Sequence, residues 1–241
     1  MTDQIFYIVF FSMFFLFCLI DLVYRQKDYP KLKLWRSRGL IFYALYVYVA
    51  FNAPLLWDEW LSQYRLVDAT SLTFGAQFIL GFSILQLGIY AWHRTMHSTH
   101  FLWRTFHQLH HSAERLDIFG AFYFHPLDML GFTFVSSLML VLVVGIGGEA
   151  AAYIALLATF YGIFQHANIK TPKWLGYFIQ RPENHSLHHA RDVHGYNYSD
   201  LPIWDIVFGT FKQVDEFQEV GIHDGSSDQI GSLLIAKDIS R

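Results

Sequence analysis

Four stretches of this chain are too long and too apolar for the interior of a small water-soluble domain. Ile5–Val23 is broken only by Ser12 and Asp21, and Leu40–Trp57, Leu72–Trp92 and the longer run Leu130–Phe164 follow it. About 18 apolar residues in a row suffice to cross a bilayer's hydrocarbon core as a helix. The last run exceeds one crossing, and Gly145-Ile146-Gly147-Gly148-Glu149 interrupts it; glycines and a charge favour a tight turn there between two shorter spans. The sequence therefore predicts an all-α integral membrane bundle of four to five transmembrane helices. Composition agrees: 54% of residues belong to the AVILMFWYC set and 15% are charged, against roughly 25% charged in soluble domains. Such a chain is neither disordered nor fibrous. One cysteine, Cys18, excludes an internal disulfide and a thiolate cage, and a net charge of −3 gives no case for nucleic acid.

Basic residues set the expected orientation. The loop after the first span carries Arg25, Lys27, Lys31, Lys33, Arg36 and Arg38 against Asp28, whereas the next carries Asp58, Glu59 and Asp68 against Arg65. The first loop is assigned to the cytoplasm. The third span returns the chain there at His93, and residues 165–241 follow on the same face. With Asp3 before it and Arg25 and Lys27 after it, the first span does not read as a cleavable signal. Trp35, Trp57, Trp60 and Trp92 fall at expected span ends, as an aromatic belt requires. No linker or repeat marks a second domain, and the polar stretch Lys212–Arg241 reads as a peripheral tail. On a cytoplasmic face, the sequons at Asn184 and Asn197 are chance matches.

Thirteen histidines stand out in a chain otherwise poor in polar groups. His93 and His97 are four apart, so a helix presents both imidazoles on one side, one turn apart. His107, His110 and His111 form a second cluster, and His185, His188 and His189 repeat its spacing; His166 stands alone between them. All fall in the two segments assigned to one face, although the charge counting made no use of histidines. Arg94 stands where the zinc-protease pattern needs a glutamate. Nine imidazoles exceed the needs of one tetrahedral zinc, and two metals with four or five nitrogen ligands each would use them all. Ligand type alone does not choose among iron, zinc, copper and nickel. His100 suits a polar interface, His194 a loop at the mouth of the site, and His223 a solvated tail.

In this order (HxxxH, HxxHH, a lone histidine, HxxHH) the chain resembles the fatty acid hydroxylase/sterol desaturase superfamily. Leu102-Trp103-Arg104, Ser112, His125-Pro126-Leu127-Asp128, His166-Ala167-Asn168, His188-His189-Ala190-Arg191-Asp192, Asn197-Tyr198, Trp204-Asp205 and Phe208-Gly209-Thr210-Phe211 add to the resemblance. It covers about residues 75–212 of a single 1–241 domain and leaves 213–241 as the tail. The resemblance implies a histidine-rich helical cap holding a non-haem di-iron centre that uses dioxygen to hydroxylate or desaturate a lipid C–H bond. Its ligands would be His93, His97, His107, His110, His111, His166, His185, His188 and His189, with zinc able to replace iron. Some relatives carry a tenth histidine where Lys170 stands, which leaves that position to His125 or to water. Asp128, Asn168 and Asp205 are candidates to orient ligand rings, or equally caps and loop braces.

No dinucleotide-binding fingerprint follows a strand, so electrons would come from a donor protein such as a b-type cytochrome, or a ferredoxin with its reductase. The membrane would be the plasma membrane in a bacterium and the endoplasmic reticulum in a eukaryote. Rival classes are a bis-histidine haem electron carrier, a metal transporter and a membrane zinc hydrolase. The first wants histidines on facing helices near the bilayer interior, and the second polar residues along the spans. The third wants a glutamate beside the histidine pairs.

Overall fold

A computed structural model describes residues 3–240. The helices are α1 (Asp3–Val23), α2 (Trp35–Asn52), α3 (Asp58–Ser62), α4 (Phe74–Ser98), α5 (His100–Leu102) and α6 (Gln108–His111). There follow α7 (Pro126–Ser137), α8 (Gly148–His166), α9 (Pro182–His188), α10 (Pro202–Val207) and α11 (Ile230–Leu234). Among the described residues the extended pairing is a lone antiparallel bridge between Ala190 and Val220. Four helical stretches are long and apolar enough to cross a membrane: Gln4–Val23, Trp35–Leu56, Phe74–Ser98 and Pro126–Val143. Helix α8 packs against α1 and α4. The glycine-rich break forms the expected turn, with Gly145 at φ +60°, where a β-carbon would collide with the Val67 carbonyl oxygen.

Local sequence signals start several helices in and around the histidine segments. Thr73 caps α4, its hydroxyl accepting the Ala76 N–H. Proline opens α7, α9 and α10, where its missing N–H costs nothing and its φ is already helical. Helix α4 runs six residues past Trp92, so His93 and His97 share its last turns.

Two cores hold the bundle. An aromatic one joins α1 and α2 to the 113–123 segment, where the Phe14 and Tyr43 rings stack at 3.8 Å. An aliphatic one fills the space between α4, α8 and the π-helical continuation of α7 at Leu138–Val143. Asp21, the charge near the end of the first apolar run, is buried and accepts the Ile118 and Asn168 N–H groups at 2.6 and 2.9 Å. It thereby ties the end of α1 to both histidine-bearing segments.

The polar stretch after residue 213 lies at the surface yet is bound into the domain. Ser226 donates its hydroxyl to the Ser112 carbonyl, and Glu114 accepts the Gly225 and Ser227 N–H groups. Further on, Ile239 N–H reaches the Gln108 side chain. Asn184 and Asn197 are buried and hydrogen-bonded within the fold, which leaves neither available to a glycan.

Candidate metal centre

Packing brings nine histidines from four sequence segments into two compact groups. His93, His97, His107, His111 and His188 form one; His110, His166, His185 and His189 form the other. Within each, one ring nitrogen per residue lies within 4.8 Å of every other. The second cluster is shaped by a π-helical turn, Trp103–His107, that runs into α6. This local widening sends His107 and His111 to the first group and His110 to the second. Helix α9 splits likewise: His188 joins the first group, and His185 and His189 the second.

Hydrogen bonds orient four rings: three Nδ1 atoms meet backbone carbonyls, able only to accept, and that of His107 meets the Asp128 carboxylate. His93 donates to the Tyr198 carbonyl at 2.7 Å, His107 to Asp128 Oδ2 at 2.7 Å, His166 to the Gly162 carbonyl at 2.7 Å and His188 to the Tyr196 carbonyl at 2.9 Å. Their Nε2 atoms then carry lone pairs. His93 Nε2 and His107 Nε2 face each other at 2.9 Å, and two lone pairs with no proton between them repel. A shared cation removes that repulsion. In the second group the Nε2 of His166 lies 3.3 Å from that of His110 and 3.2 Å from that of His185, with His189 3.1 Å from His185. These separations match the edges of a coordination polyhedron with metal–nitrogen bonds of about 2.0–2.1 Å. Nitrogens of His97, His111 and His188 are buried without partners, which in a folded interior calls for a ligand. The residues fit a pair of nitrogen-loving metal ions.

Electrostatics agree. Burial first, and repulsion from neighbouring imidazoles second, hold His107, His110, His111, His185, His188 and His189 well below the ordinary histidine pKa. The rings are thus neutral, the form that binds metal.

Asp128 is fully buried against His107, as a ring-orienting carboxylate would be. Asp205 acts one step away: it accepts the Tyr198 and Ser199 N–H groups and so holds the carbonyl that His93 uses. Asn168 touches no histidine; its side chain pairs with the Lys27 backbone. His125 stands outside both groups. Its Nδ1 accepts the Leu127 N–H as the cap of α7, and its Nε2 faces the Leu234 carbonyl. Lys170 turns away from the centre to Glu216 at 2.8 Å and the Asp215 carbonyl. His100 pairs with Asp238, and His194 packs its ring near His97 and Trp103. The carbonyls of Gly162, Tyr196 and Tyr198 carry no side-chain signature and were invisible to sequence reasoning. So was the buried Arg181–Glu183 pair, 3.0 Å apart, at the start of α9.

A cavity of about 450 Å³ opens on these groups. Five histidines (93, 107, 110, 166 and 185) face one end of it, while Phe6, Phe51 and Asp58 mark the other. One wall is a stripe of small residues along α8: Ala151, Ala152, Ala155, Ala158 and Gly162.

A family model described as fatty acid hydroxylase matches residues 78–210, which contain all nine grouped histidines. The chain belongs to the fatty acid hydroxylase family. This hydroxylase-family chain is 33% identical over 139 residues to ornithine lipid hydroxylase OlsE of Rhizobium tropici, covering 56% of the chain and 41% of that protein. It is 26% identical over 144 residues to sphinganine C4-monooxygenase 1 of Arabidopsis thaliana, covering 58% and 55%. With a very-long-chain aldehyde decarbonylase, GL1-9, of Oryza sativa subsp. indica it shares 30% identity over 142 residues, covering 56% and 54%. The matches thus span about half the length of these curated relatives. No solved structure matches the chain.

Proposed function

We propose that this member of the fatty acid hydroxylase family is an integral membrane oxidoreductase that hydroxylates or desaturates a C–H bond of a lipid, with dioxygen and external electrons. The supporting observation is the cavity, mostly apolar and lined by five of the grouped histidines. Its volume lies within the ~300–1,000 Å³ of small-molecule pockets, and its length runs along α8 between the histidine end and Phe6. Two iron ions would be held, one by His93, His97, His107, His111 and His188, the other by His110, His166, His185 and His189. With iron bound, the centre supplies dioxygen activation and the oxidation of an unactivated C–H bond.

The chain's own residues do the rest. Asp128 and the carbonyls of Gly162, Tyr196 and Tyr198 aim the rings and set their basicity. The alanine face of α8 leaves room for an acyl or sterol-type chain, and the aromatic walls keep water from it. Electrons enter from a donor such as a b-type cytochrome, or a ferredoxin with its reductase, on the cytoplasmic face where the basic loops put the histidines. The whole of 1–241 acts as one domain, in the plasma membrane of a bacterium or the endoplasmic reticulum of a eukaryote.

Metal content and an optical spectrum of the detergent-purified protein test this reading. About two irons per chain without a Soret band are expected, and His110→Ala should lower the metal content. Zinc in the same amount calls for iron reconstitution and a lipid-oxidation assay. A Soret band at one haem per chain overturns the reading in favour of an electron carrier.

A further inference from the structure

Of the two carboxylates that line the cavity, Asp58 and Asp200, the second shares its wall with histidines and is not used by the oxidation chemistry. Asp200 is 8% exposed and lines the cavity together with Gln165, His166 and His185. Its two carboxylate oxygens accept amide N–H groups from two helices: Gln86 of α4 at 3.0 Å and Gln165 of α8 at 3.1 Å. Its backbone carbonyl accepts the Gln180 N–H at 2.9 Å. Held from three sides, the carboxylate keeps access only toward the cavity it lines. Among the described residues, no lysine, arginine or histidine forms an ion pair with it. The one charged side chain that acts on it, Asp205, has the same sign. Desolvation raises the Asp200 pKa to about 6, so the group is still ionised at neutral pH.

A buried anion without a counter-charge is costly unless a cation meets it. Two amides satisfy part of the carboxylate, and each oxygen keeps a lone pair. The open side is the cavity, whose mostly apolar lining also carries the hydroxyls of Tyr46 and Thr159.

We propose that Asp200, braced by Gln86 and Gln165, is a subsite for a positively charged nitrogen of the lipid substrate, an ammonium carried near the carbon to be oxidised. This rests on the reading of the cavity as a lipid site and narrows it to amine-bearing lipids. The adjacency of Gln165 and His166 on α8 puts the ammonium beside the second histidine group. A neutral hydroxyl would satisfy the same oxygens less well, since the electrostatic gain needs the full charge.

The test uses the metal-loaded, full-length protein in phosphatidylcholine nanodiscs, without dioxygen or reductant. Thermal stabilisation is followed against octadecylamine, N-acetyl-octadecylamine and 1-octadecanol. The amine should act at concentrations about tenfold lower than its two neutral counterparts, one decade being about 1.4 kcal/mol. In Asp200→Asn the three chains should become equivalent while the bound metal is retained. Equal action of the three chains on the wild type overturns the proposal without any variant. So does Asp200→Asn that releases metal yet keeps the amine preference, which would make Asp200 a counter-charge to the metal ions. Stabilisation by none of the three removes the lipid cavity itself, and with it both readings. An amine preference in a protein that oxidises no lipid leaves the subsite standing and sinks only the oxygenase.

Discussion

The carboxylate of Asp128 does for His107 what the Tyr198 carbonyl does for His93: it accepts the Nδ1–H hydrogen bond and leaves the Nε2 lone pair free. Replacing a carboxylate of this kind weakens metal binding by about 10–100-fold in comparable sites. Asp128→Asn should therefore lose metal to a competing chelator at correspondingly lower concentrations, with circular dichroism unchanged. Retention at wild-type strength would show that packing alone orients His107. At this scale the sequence was generous. The spacing of His93 and His97 on a helix, and the repeated triplet, single out eight residues, and His166 between the triplets is the ninth. Asn168 and His125 show the limit. An amide that could brace a ring instead braces Lys27, and a histidine beside the site caps a helix. Either use satisfies the same polar atoms, so nothing in the residue type chooses between them.

Helices and turns were less legible. The apolar runs located the spans, but the π turn at Trp103–His107 follows from how this segment packs beneath α7 and α4, and no residue in it forces the wider spiral. Close approaches are equally silent in sequence. Gly39 of α2 lies against the Phe119 backbone, where a β-carbon would overlap the carbonyl oxygen. Overpacking of this kind costs about 1–3 kcal/mol, so Gly39→Ala should lower the melting temperature in detergent, and an unchanged melting point would mean that the Ile118–Gly120 turn gives way. The small-residue stripe on α8 invites a graded test. Ala158 lies about 12 Å along the helix from His166, and Ala151 roughly 22 Å, at 1.5 Å per residue. Ala158→Phe should restrict oxidation to short chains and Ala151→Phe should exclude only the longest, as read by product analysis over a chain-length series. Identical profiles would place the chain elsewhere.

Across the whole molecule, residues after 213 are polar in composition and read as a tail, yet they fasten the loop that follows α6. Composition reports on solvation, whereas the Glu114 carboxylate that receives Gly225 and Ser227 lies 111 and 113 residues away in sequence. Hydrogen exchange should find these two amides as slow as those of the spans, and Glu114→Ala should release both; fast exchange in the wild type would return this segment to the periphery. A different consequence follows from α9, which gives His188 to one histidine group and His185 and His189 to the other. A ribosome delivers the chain from its N-terminus, so neither group can close until this helix has been made, by which time the four spans described above have already been synthesised. Loading of the two groups is therefore a late event in biogenesis, and a protein caught before that point holds at most a partial set of ligands.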